Sequence, residues 1–86
     1  MTEYGDQFNA AVAAELRAER ARVGISYDAL VETTGIAKSS VQRYLGGKRD
    51  IPVPALLDLC RGLGVSPRVI FDRAYDSLQD NTGVES

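Results

Sequence analysis

The sequence predicts an all-α fold, a compact arrangement of five helices in one small domain. Three observations carry that expectation. Apolar residues recur at helical spacing, as in Phe8, Val12 and Leu16, and nowhere alternate for long. Glycines and prolines fall between the periodic stretches, where helices stop and start. The 86 residues are 44% hydrophobic and 26% charged, an ordinary globular composition that supports one modest core.

The first helix is expected from about Asp6 to Arg22. Its stripe of Phe8, Val12 and Leu16 is continued seven residues later by Val23, and its many alanines favour helix. Gly24 ends it. Ser26 suits the N-cap of a second helix, with Asp28 in the first turn where the helix dipole favours an anion. Leu30 and Val31 should face inward, and Gly35 should stop the helix. A third helix should run from Lys38 to Leu45 and break at Gly46 and Gly47. At 100° per residue its Val41, Tyr44 and Leu45 share one face. Ser39, Gln42 and Arg43 lie opposite, with Lys38 and Ser40 on the flanks. The fourth helix follows the prolines of DIPVP and is nearly all apolar through Leu56, Leu57, Leu59, Cys60 and Leu63, so it should be the most buried. The fifth opens at Ser66 and Pro67, a cap followed by proline at the first helical position. The final QDNTGVES has no period and reads as a frayed tail. The domain is therefore expected over residues 5–79, with a flexible acidic tail at 80–86.

Composition excludes several classes. One cysteine, Cys60, allows no internal disulfide, which fits a reducing compartment, and it reads as a small buried core residue. With no histidine and one cysteine no zinc site is plausible, and no cofactor is expected. No apolar run approaches a membrane span, and the first residues lack a charged-then-apolar signal. A soluble cytoplasmic protein is the expectation. The net charge of −2 is unevenly spread. Gly35 to Arg49 holds four bases, Lys38, Arg43, Lys48 and Arg49, and no acid. Asp72 to Ser86 holds four acids against one base. No phosphate loop or evident carboxylate pair suggests an enzyme. Arg17, Arg20 and Arg22 read as a solvated face with Glu15 and Glu19, although Arg20 or Arg22 could reach a phosphate.

Two helices of about eight residues that meet at a glycine form a helix-turn-helix pattern, over about residues 26–46. Its inward positions are Leu30, Val31, Ile36, Val41 and Tyr44. The outward face of the second helix is small or polar with a net positive charge. Eight helical residues span roughly 12 Å, and the DNA major groove is about 12 Å wide.

The stretches YDALVETTGI, AKSSVQRYLGGKR and LLDLCRGLGVSP together resemble the lambda-repressor-like, or Cro/XRE-type, helix-turn-helix family. With the first and fifth helices the resemblance covers most of the chain. Val31 stands where the family usually has a small residue, so the two motif helices should sit slightly farther apart. Leu45 replaces an acid that often ends the recognition helix, so an ion pair back to Arg20 should be missing. The resemblance implies that the second motif helix lies in the major groove while the first crosses the backbone. It assigns base-edge contacts to Lys38, Ser39 and Arg43, with Gln42 beside them. It assigns phosphate contacts to Ser26, Tyr27, Ser40, Lys48 and Arg49.

The implied function is a sequence-specific DNA-binding transcription regulator. The expected form is a repressor of the Cro or immunity type from a phage or mobile element, in a bacterial or phage-infected cell, because the small size leaves no room for a ligand-sensing domain. One motif binds DNA weakly, so a homodimer on a palindrome is expected. Ile70, Phe71, Tyr75 and Leu78 are its candidate contacts, since the fifth helix has more apolar residues than one face needs. Two alternatives remain. An antitoxin would bind its own promoter while its acidic C-terminus held a protein partner. An interaction module would have kept the fold and lost DNA binding. A neighbouring toxin-like gene would select the first.

Overall fold

An eight-residue helix is marginal in water, so the fold must brace its short helices through shared burial. A computed structural model describes residues 3–82, with helices α1 (Glu3–Val23), α2 (Tyr27–Thr34), α3 (Lys38–Leu45), α4 (Val53–Leu63) and α5 (Pro67–Thr82). The fold is all-α, and the five helices lie where the sequence placed them. α1 packs on α3, α4 and α5, and α2 packs on α3 and α4. The shared core consists of Val12, Leu16, Leu30, Val41, Leu45, Leu56, Leu59, Cys60, Leu63, Ile70 and Ala74. Burial pushes the Cys60 thiol pKa up, which keeps it a neutral core group.

Local chemistry sets the helix ends. Ser26 Oγ accepts from Ala29 N at 3.0 Å and caps α2. Gly35 ends that helix at φ 76, a left-handed conformation that other residues adopt only with strain. Thr34 Oγ1 then accepts from Ile36 N at 3.1 Å and donates to Leu30 O at 2.8 Å, which satisfies backbone groups around the turn. Ser66 Oγ accepts from Arg68 N at 3.1 Å beside Pro67 at the start of α5.

Four expectations are corrected. Val23 is exposed, because α1 outruns the core and Glu19 takes the last buried position on its stripe. Leu57 is exposed as well. α4 is covered on one side only, so the spacing of Leu56, Leu59, Cys60 and Leu63 is buried while Leu57 and Val53 face out. Ile70 and Leu78, expected at a dimer contact, lie in the core of the single chain and are unavailable to a second copy. α5 continues to Thr82, past the expected start of the tail, while residues 83–86 lie outside the described range.

Gly62, which no sequence pattern singles out, sets how closely α2 meets α4. A Cβ there would lie 2.9 Å from Leu30 Cδ1 and 3.1 Å from Thr34 Cγ2. Leu30 is fully buried and Thr34 is tied to its own helix by its hydroxyl, so neither yields easily. Gly62→Ala would gain about 1 kcal/mol of helix propensity but incur about 1–3 kcal/mol of overpacking. We expect a net loss near 1 kcal/mol, seen as a fall in Tm of about 4–8 °C by thermal circular dichroism. An unchanged or higher Tm would show that α2 can back away from α4.

Candidate nucleic-acid interface

The burial of Val41 and Leu45 determines which way α3 faces. Both are fully buried, and Tyr44 is half-buried beside them. The helical period then turns Ser39, Gln42 and Arg43 outward, and all three are exposed. Ser40 is half-buried on the flank. Three polar groups of α1 hold this arrangement. Arg17 Nη1 donates to the carbonyl of Leu45, placing a cation at the C-terminal end of α3 where the helix dipole favours it. Asn9 clasps the loop beyond α3, with Nδ2 donating to Arg49 O at 3.3 Å and Oδ1 accepting from Ile51 N at 3.0 Å. Arg20 Nη1 donates to Ile25 O at 2.7 Å, and its guanidinium lies 4.7 Å from the centre of the Tyr27 ring.

These contacts correct the expectation of a solvated face on α1 in part: Arg17 and Arg22 are exposed, whereas Glu19 and Arg20 are not. Glu19 is buried and bonded to Arg22 and, at 3.0 Å, to Arg73 of α5. Arg20 is half-buried and engaged, which leaves it poorly placed to reach a phosphate. The missing acid at Leu45 is replaced by another device, because Arg17 bonds the backbone carbonyl there instead. Neither Asn9 nor Arg17 was found from the sequence. Each bonds a backbone group about 30 to 40 positions away, and side-chain patterns do not encode such targets.

The residues expected to contact phosphate differ in exposure. Ser26 is exposed, and its cap uses only an oxygen lone pair, so its hydroxyl proton can still be donated. Tyr27 is half-buried, its ring held against Arg20. Lys48 and Arg49 are exposed beyond a tight exit turn, in which Lys48 N donates to Arg43 O at 3.0 Å. Arg43, Lys48 and Arg49 make no ion pair among the described residues. Lys38 does: its Nζ lies 2.9 Å from Asp28 Oδ1. The basic segment therefore has an acid at its edge, contributed by the neighbouring helix.

A concave feature lies elsewhere, a cavity of about 250 Å³ lined by Phe8, Val12, Ile51, Val53, Leu56 and Phe71, among others. Phe8 and Phe71 meet edge-on there, with centroids 5.5 Å apart. Its lining is almost wholly apolar, and Asn9 is already bonded to the exit loop. Among the described residues no cluster of potential metal ligands occurs, and no helix is long and apolar enough to cross a membrane.

Among solved structures, one that matches is the crystal structure of the clp gene regulator ClgR from C. glutamicum. It shares 24% identity at a TM-score of 0.76, over 81% of this chain and 91% of that one, and so supports the fold. No curated protein matches the chain. The family profile described as a helix-turn-helix domain matches residues 11–70. That span takes in α2, α3 and the turn between them together with most of their bracing, and the chain belongs to the helix-turn-helix domain family.

Proposed function

We propose that this protein is a sequence-specific, DNA-binding transcription regulator that places α3 in the major groove and represses by occupying its operator. The observation that carries this reading is the exposed Ser39–Gln42–Arg43 face, fixed opposite the buried Val41 and Leu45 on a helix short enough for the groove. Arg43 is the main base reader, because a guanidinium can bond guanine O6 and N7 together. Ser39, Gln42 and Lys38 reach neighbouring base edges. Ser26, Tyr27, Ser40, Lys48 and Arg49 anchor on phosphates. The regulator works in the cytoplasm as a small Cro- or immunity-type repressor.

The reading includes a homodimer on a palindrome. Phe71 and Tyr75 are the two dimer candidates that remain solvent-exposed, at 41% and 49%. Sedimentation equilibrium with a duplex should give two chains per palindrome, and Tyr75→Lys should reduce this to one. Two chains per duplex in that variant would place the dimer contact elsewhere.

Base reading and phosphate anchoring separate experimentally. On a duplex selected by the protein from a randomised pool, Arg43→Ala should cost about 1–3 kcal/mol, with much less effect on random DNA. Lys48→Ala should weaken both duplexes alike and reduce the steepness of the salt dependence by about one unit. Both variants should melt with the parent. A uniform loss in Arg43→Ala together with a changed base preference in Lys48→Ala would mean that α3 is rotated from the proposed pose.

A further inference from the structure

Lys38 opens α3, where the positive end of the helix dipole disfavours a cation. α3 has no acid in its first turn and no side-chain cap at Ala37, so the compensating carboxylate comes from α2. Asp28 lies in the first turn of that helix, and its Oδ1 is 2.9 Å from Lys38 Nζ. The pair thus spans the N-terminal ends of both motif helices. Both side chains are well exposed, at 52% for Lys38 and 79% for Asp28. Exposed pairs contribute little to folding, so the consequence of this one lies in binding. Of the four bases in the Gly35–Arg49 segment, Lys38 is the one held in an ion pair among the described residues.

We propose that Asp28 is a specificity-determining positioning residue, which holds the Lys38 ammonium away from phosphates and so suppresses binding to non-cognate DNA. This rests on the reading of α3 as the groove helix. A free lysine at the end of α3 would swing to the nearest phosphate of any sequence and release one more counterion. Tethered to Asp28, it offers its remaining donors to a base edge in the groove and adds little to sequence-independent attraction. Specificity then rises through lower affinity for the wrong partner.

Parent, Asp28→Asn, Asp28→Glu, Lys38→Gln and the Asp28→Asn/Lys38→Gln double variant are titrated across salt. The probes are a random-sequence duplex and a duplex selected by the parent from a randomised pool. Asp28→Asn should bind random duplex more tightly, with a log–log slope steeper by about 0.9. That slope change makes its gain about 3.5-fold larger at 50 mM than at 200 mM salt. The selected duplex should gain less, so the ratio of the two affinities falls. Asp28→Glu should restore the parent slope. In the Lys38→Gln background, Asp28→Asn should leave the slope nearly unchanged. An equal steepening in both backgrounds would overturn the inference in favour of plain repulsion between Asp28 and DNA, and an unchanged slope in Asp28→Asn would overturn it by showing that no phosphate contact is gained. If the parent bound neither a random nor a pool-selected duplex, the DNA reading would fall first and this inference with it.

Discussion

The structure depends on the burial of two side chains of α3, Val41 and Leu45. A helix of eight residues gains too few hydrogen bonds to hold itself together in water, and its order comes from tertiary contacts. Val41 and Leu45 supply those contacts by reaching full burial against α1 and α2. Because they lie four residues apart, they fix both the rotation and the tilt of the helix. Every outward position then follows from the helical period, including that of Arg43. The polar face owes its exposure to the apolar one, and a change on the buried side would move every side chain on the outer side.

Apolar burial alone does not direct the chain on either side of α3. α1 does this with a row of polar side chains that each bond a different downstream segment. Asn9 holds the loop at Arg49 and Ile51, Arg17 the end of α3, Arg20 the bend at Ile25, and Glu19 the side of α5 through Arg73. α1 contributes none of the proposed DNA contacts, yet it positions the segments that carry them. Charged hydrogen bonds to backbone carbonyls are stronger than neutral ones, and here they define where the loops lie. Arg20 has a cost in this role: its Nε is buried without a hydrogen-bond partner, which the contact with the Tyr27 ring offsets.

The helices were legible in the sequence through their apolar periods and, for α2, α4 and α5, through signals at their ends. Ser26 and Gly35 bracket α2, Gly64 closes α4, and Ser66 and Pro67 open α5, all through local backbone chemistry. The outward face of α3 was legible for the same reason, since eight residues of one period contain it. What was not legible depends on pairs far apart in sequence. Glu19 looked solvated until α5 brought Arg73 to it, and Lys38 looked free until α2 brought Asp28 beside it. Ile70 and Leu78 looked surplus because hydrophobicity along a helix does not reveal how wide a face its neighbours cover. Gly62 carried no pattern, because its role is the absence of a side chain beneath Leu30.

The polarised charge of the chain gains meaning from this geometry. A protein of net charge −2 is attracted to DNA only where its bases are gathered and its acids are turned away or paired. Arg43, Lys48 and Arg49 are gathered around the end of α3, while the acids of the chain lie largely on other segments. The central claim is that this face, and no other, meets the groove. The most direct measurement is an NMR titration of ¹⁵N-labelled protein with a duplex selected from a randomised pool. We expect the amide shifts to concentrate at Ser26–Ala29, Lys38–Arg43 and Lys48–Arg49, with the helix-core amides of α4 little changed. Shifts centred instead on Tyr4, Phe71 and Tyr75, with α3 silent, would contradict it.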